Sequence, residues 1–179
     1  MNPERFTGAN AAMLLIDHQI GTMGWVRSAP FDEIKRNTLV LAKAAKALNV
    51  PVILTSSMEE HVQGPLMTEL QLILPEAFAA RIKRVGVVDA MDDDNFASAV
   101  LATGRKNLIM AGITTDVCVV YPAITAVQQG YSVQVVVDAA AARRRTGLPS
   151  RSLNRPRLGV DEARMRGQGA PGLPGAVVA

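Results

Sequence analysis

One cysteine, two histidines and 4% aromatic residues leave this 179-residue chain without the raw material of several functional classes. A lone Cys118 forms no intramolecular disulfide and no CxxC redox or metal motif, which agrees with a reducing compartment. A metal site needs at least three converging ligands, and the stretch around His61, SSMEEHVQG, has no Asp-x-His spacing. No metal and no cofactor are expected. No apolar run approaches the roughly 18–20 residues that span a bilayer, so no membrane partner is expected. The opening MNPERFTGAN has no basic stretch followed by an apolar one, which makes cytoplasmic residence the expectation.

The net charge of +3 is unevenly placed. Residues 1–142 hold 11 Lys and Arg against 14 Asp and Glu, a net of −3. Residues 143–179 hold eight Arg against Asp161 and Glu162, a net of +6. A nucleic-acid reading of the basic pI therefore rests on the tail alone, and no nucleic-acid partner is expected.

What is present is alternation of strands and helices. AMLLID (12–17) is apolar and ends in a carboxylate, the pattern of a buried parallel strand. Residues 31–49 place Ile34, Leu39, Leu41, Ala44, Ala45 and Leu48 at helical spacing. Pro51 restarts the chain and VILTSS predicts a second strand. PLMTELQLIL (65–74) predicts a short helix stopped before Pro75, and a brief strand is expected within Arg81–Val88. Residues 92–103 read as a helix opened by acids and ended at Gly104. NLIMAGI (107–113), TTDVCVVYPAITAVQQG (114–130) and YSVQVVVDA (131–139) complete a strand, helix and strand. The result is an α/β chain with a parallel sheet covered on both faces.

Ligands of open parallel sheets bind beyond the carboxyl ends of the strands. Asp17, the segment Thr114-Thr115 with Cys118, and the trio Arg81, Lys83 and Arg84 all fall at that edge. With Thr114 or Thr115 as N-cap, Cys118 lies in a helix's first turn, where unpaired N–H groups lower a thiol pKa. Cys118 is then either a sulfur nucleophile or a small buried hydrophobe. Asp17 is either a desolvated general base or a loop cap. Arg84 or Lys83 supplies the cation. His18 should point away from Asp17, and Asp92-Asp93-Asp94 reads as helix-start chemistry rather than a cation site.

Five blocks together resemble one family: LLIDHQIG (14–21), PVILTSSMEE with GPLMTEL (51–60, 64–70), RVGVVDAMDDDNF (84–96), LIMAGITTDVCVVYPAITAVQQGY (108–131) and VVVDA (135–139). They are similar to the isochorismatase-like cysteine hydrolase superfamily and, within it, to the YcaC-related branch. The resemblance implies a three-layer α/β/α sandwich. It implies a triad of Asp17 as base, Arg84 as cation (with Lys83 as the neighbouring alternative) and Cys118 as nucleophile. It also implies a non-proline cis peptide before Thr114, and an oxyanion hole from the N–H groups of Thr114 and Cys118. The expected reaction is cleavage of an amide-like C–N bond of a small molecule through a thioester, by a homo-oligomer. The cysteine argues against vinyl-ether hydrolysis, and the SSMEEH loop lacks the metal motif of nicotinamidases. The rival expectation is an inactive family member that only assembles.

The resemblance stops at Ala142. The hydrolase domain is expected over residues 1–142, with 143–179 as an atypical tail in which Arg, Gly, Pro and Ala supply 22 of 37 residues. The family continues with a helix and strand that cannot be read there. The composition fits either a disordered segment or a GC-rich gene read out of frame. In the second case the coding sequence shifted by one base is expected to encode an amphipathic helix and a strand. Stop codons without such a pattern would contradict it.

Overall fold

Alternation along a single strand sets the layers of this computed structural model, which describes residues 5–142 and 176–178. Strand β1 (Ala11–Ile16) is buried along its whole length. Met13 and Leu15 enter one core, while Ala12, Leu14 and Ile16 enter the other. The first core is closed by Met23, Ile34, Leu70 and Phe78, which come from α1 (Ile20–Gly24), α2 (Phe31–Ala47), α3 (Thr68–Ile73) and α4 (Pro75–Ala79). The second is closed by Phe96 and Val100 of α5 (Asp94–Ala102) and Ala126 of α6 (Val120–Gln128).

Between the layers lie β2 (Val52–Ser57), β3 (Ile82–Arg84), β4 (Asn107–Gly112), β5 (Ser132–Val135) and β6 (Ala176–Val178). The order is β3-β2-β1-β4-β5-β6 and every pairing is parallel. The expected α/β/α sandwich is therefore the fold. The order reverses between β1 and β4, where Ile16 pairs with Gly112, and ligands of such sheets bind at that switch point. No helix among the described residues is long and apolar enough to cross a membrane.

Several elements differ from the sequence expectation. The helix read over 65–74 is α3, which starts later and ends before Pro75 as read. Pro75 opens a further helix, α4, that was not expected; Leu74 between them leaves the helical region at φ −128° and ψ 62°. Helix α1 has no periodic signature. It forms where Gly21 meets the following loop so closely that a Cβ would lie 1.9 Å from the Val62 carbonyl oxygen. The tail is not without strand, since residues 176–178 pair with β5. The further helix expected between them falls outside the described residues. Asp93 caps α5 by accepting from the N–H groups of Asn95 and Phe96, as the acidic run implied.

His18 joins the end of β1 to the segment after β5. Its Nε2–H donates to the Ala139 carbonyl at 3.0 Å, and its Nδ1 is buried without a partner among the described residues. Burial lowers its pKa from 6.5 to about 4, against the Ala139 bond that favours the protonated ring. The native state thus holds His18 neutral, whereas the unfolded chain takes up a proton below about pH 6.5. Stability from this group is complete above pH 6.5 and declines as pH falls toward 4, by about 3 kcal/mol in total. Urea midpoints at pH 7 and 4.5 are expected to differ more for the native chain than for His18→Gln. Equal differences would contradict this assignment.

Candidate active site

Three strand ends bring the site together. Immediately after β1 the chain turns at Asp17, whose φ of 57° lies in the left-handed region that Asp tolerates better than most residues. Its N–H donates to Thr55 O at 2.9 Å, and the Gln19 N–H closes a tight turn back onto the Asp17 carbonyl at 2.7 Å. At the end of β3, side chains alternate between faces. Arg84 is 2% exposed and pairs with Asp17, whereas Lys83 is half exposed and pairs with Glu59 at 2.8 Å. Arg84, not Lys83, is therefore the cation beside Asp17. Its remaining groups donate to Thr55 Oγ1 at 3.0 Å and Val87 O at 2.6 Å, which fixes the guanidinium plane.

The third strand end carries Cys118. The Ile113–Thr114 peptide is cis, as the resemblance implied. Thr114 does not cap through its side chain, and the first turn is not α-helical. Residues Thr115–Val119 form a π-helical turn that leads into α6. Gly112 permits it, because a Cβ there would stand 2.7 Å from Ile16 O and 2.9 Å from Val119 Cγ2. The Thr115 N–H donates to Ala141 O at 3.0 Å, so the last described residues of the domain brace the turn. The Cys118 N–H donates to Thr114 O at 2.8 Å. The Thr114 backbone lies near enough to the Cys118 sulfur to favour its ionised form.

Electrostatics at the sulfur run against the local expectation. Burial, followed by the charge of Asp17 and the hydrogen bond to it, pushes the Cys118 thiol from 9.0 up to about 12, while Thr114 and Arg84 oppose. The expected lowering by a helix N-terminus does not occur: the turn's dipole is outweighed by a neighbouring carboxylate in a poorly solvated place. Burial also raises Asp17, with Arg84 pulling it down by charge and hydrogen bond. At rest the thiol is protonated beside the Asp17 carboxyl.

Beside the thiol opens a cavity of about 250 Å³, smaller than the roughly 300–1,000 Å³ usual for drug-sized ligands. Asp17, Arg84, Thr114 and Cys118 form one side of it. Thr22, Trp25, Gln63 and Val87 contribute elsewhere, and sequence reasoning named none of them. They lie in short elements whose placement depends on tertiary contacts, and no periodicity marks them. Gln19, also missed, positions the rim: its Oε1 accepts from Ser57 N at 2.8 Å, and its Nε2 donates to Ser57 O at 2.9 Å and to Gly64 O. His61 lies in the 58–64 loop and His18 turns away toward Ala139. Among the described residues no cluster of three metal-ligating side chains forms.

A family model described as Isochorismatase domain matches residues 11–160. The chain is 45% identical over 131 residues to the probable hydrolase YcaC of Escherichia coli, covering 73% of this chain and 62% of that protein. It thus spans less than two thirds of that relative's length. A solved structure of YcaC from Pseudomonas aeruginosa, with hexane-2,5-diol and covalent acrylamide, has 42% identity and a TM-score of 0.77 over 80% of this chain and 70% of its own. The solved E. coli YcaC, described as an octameric hydrolase of unknown specificity, has 43% identity and a TM-score of 0.76 with the same coverage.

Arg84→Met strands Asp17 in a buried position and is expected to cost about 3–5 kcal/mol at neutral pH. Without Arg84 the carboxyl pKa rises further, so the loss should shrink as pH is lowered and Asp17 protonates. Lys83→Ala removes a half-exposed partner of Glu59 and should cost about 0–1 kcal/mol. Denaturant titrations of both variants check the contrast. Equal losses would contradict the assignment of Arg84 as Asp17's partner.

Proposed function

The chain belongs to the isochorismatase domain family, and from that premise we propose that it hydrolyses an amide-like C–N bond of a small molecule through a thioester on Cys118. One observation carries the reading: a thiol set beside a buried carboxylate at the wall of a cavity on the sheet's switch point. A group with a raised pKa is a poor standing nucleophile, so activation has to occur during attack. Asp17 takes the thiol proton as sulfur bonds to the substrate carbonyl, and the carbonyl π electrons move onto its oxygen. The Thr114 backbone, near enough to the sulfur to favour its ionised form, supplies the N–H for that oxyanion. The Cys118 N–H is engaged with Thr114 O and contributes only by sharing its hydrogen.

Collapse of the tetrahedral species breaks the C–N bond, and Asp17 passes its proton to the departing nitrogen. Water then attacks the thioester, Asp17 accepts its proton, and cleavage of the C–S bond returns that proton to sulfur. Arg84 holds the carboxylate in place throughout and limits the rise of its pKa. The P. aeruginosa relative was solved with covalent acrylamide, an electrophile that adds to nucleophiles through its alkene, which agrees with a reactive nucleophile in that protein.

Homo-oligomeric assembly is proposed with it. The E. coli relative is described as octameric, and α6 exposes the apolar side chains of Val120, Tyr121 and Ile124. The second reading is a degenerate member that assembles without turnover, for which the exposed apolar side chains of α6 suffice.

The two readings part on Asp17→Asn. The hydrolase reading expects ammonia release from simple amides to fall at least about 10²-fold. It also expects iodoacetamide to alkylate Cys118 faster at neutral pH, because removing the carboxylate charge lets the thiol pKa fall. Mass spectrometry of the native chain with substrate should trap an acyl group on Cys118. No ammonia release from any amide by the native chain would favour the assembling reading.

A further inference from the structure

Buried polar atoms without partners are rare in folded proteins, and each one calls for an explanation. Among the described residues only four side-chain atoms have this status, and two of them, Thr22 Oγ1 and Gln63 Oε1, belong to residues lining the cavity that holds Cys118. Thr22 is 5% exposed and sits in α1, while Gln63 comes from the loop packed against α1. Neither bonds to the other or to any described backbone group. Leaving such atoms unpaired is costly; both are closed to a water-sized atom as they stand, and a ligand that reaches them as their side chains turn toward the cavity removes that cost.

Charge gives the second half of the argument. The charged side chains lining this cavity, among the described residues, are Asp17 and Arg84. These two are paired with each other, and the remaining donors of Arg84 go to Thr55 and Val87. A ligand carrying its own carboxylate or ammonium finds no free counter-charge there and has to shed its water unpaired. Trp25, Val87, Val88 and Val117 give the rest of the wall an apolar surface.

Resting on the hydrolase reading and deepening it, we infer that the substrate is a small uncharged amide with a second neutral polar group, held by Thr22 and Gln63 away from the scissile bond. Gln63 Oε1 accepts a hydrogen bond and the Thr22 hydroxyl donates or accepts, so a carboxamide or hydroxyl end fits and a carboxylate does not. Hydrolysis turns this neutral molecule into a carboxylate beside Asp17. The selectivity that admits the substrate thereby expels the product.

Trp25 is the single tryptophan and lines the cavity, so its fluorescence reports occupancy whether or not turnover occurs. Four matched probes are titrated: pentanamide, succinamide, succinamate and 4-aminobutanamide. Succinamide is expected to bind at least tenfold more tightly than succinamate or 4-aminobutanamide. The succinamide-to-pentanamide affinity ratio should fall about tenfold in Thr22→Val and in Gln63→Leu, and recover in Thr22→Ser. Charged probes binding as well as succinamide would overturn the inference. So would an unchanged ratio in both variants, the result if a structural water satisfies these atoms. Ammonia release is followed in parallel. Selective binding without release contradicts the hydrolase reading while leaving the recognition site standing, and release without selectivity does the reverse.

Discussion

A carboxylate and a guanidinium, each about 2% exposed, face one another where the strand order of the sheet reverses. The rest of the site is arranged around that pair. Taking two charges from water is expensive, and mutual attraction offsets the cost only if the geometry is good and the remaining donors are satisfied. Here they are: Thr55 Oγ1 accepts from Arg84 Nε and passes its own hydrogen to Ile82 O at 2.8 Å, and Val87 O takes another guanidinium hydrogen. Strands β1, β2 and β3 are thereby tied at their carboxyl ends by polar bonds as well as by the ladder. A well-packed apolar replacement would often serve stability equally well, so stability alone does not account for the pair.

The pair also determines how the sulfur behaves. A cysteine at a helix start beside a lone arginine would be expected to ionise. Cys118 is instead buried, beside a carboxylate that Arg84 already engages, and burial first and that charge second push its thiol up to about 12. The thiol keeps its proton beside the carboxyl. On the proposed reading, such a nucleophile becomes competent when a carbonyl in the cavity makes proton transfer and bond formation occur together.

Much of this was legible in the residues, for reasons that can be named. AMLLID and NLIMAGI are continuous apolar runs because both faces of those strands are covered, and the fully buried β1 and nearly buried β4 match. Asp17 stood out as a charge at the end of such a run, and Cys118 as the single cysteine just past another. The choice between Lys83 and Arg84 needed the strand's exact register, which places one outward and one inward. Helix α1 and the π-helical turn at Thr115–Val119 were not legible. Each depends on contacts distant in sequence: Gly21 against the Val62 carbonyl, Gly112 against Ile16, Thr115 against Ala141. The thiol's pKa was misjudged for the same cause. A local reading sees the amides around Cys118 but not the carboxylate that another strand brings to it.

The most direct test is the ultraviolet absorbance of the thiolate, read against pH with Cys118→Ser as the blank, since no other cysteine contributes. The account predicts no Cys118 thiolate signal up to about pH 10, well above the ordinary value of 9.0. A thiolate that appears with a midpoint at or below 9 would contradict it, because Asp17 would then not hold the thiol's proton.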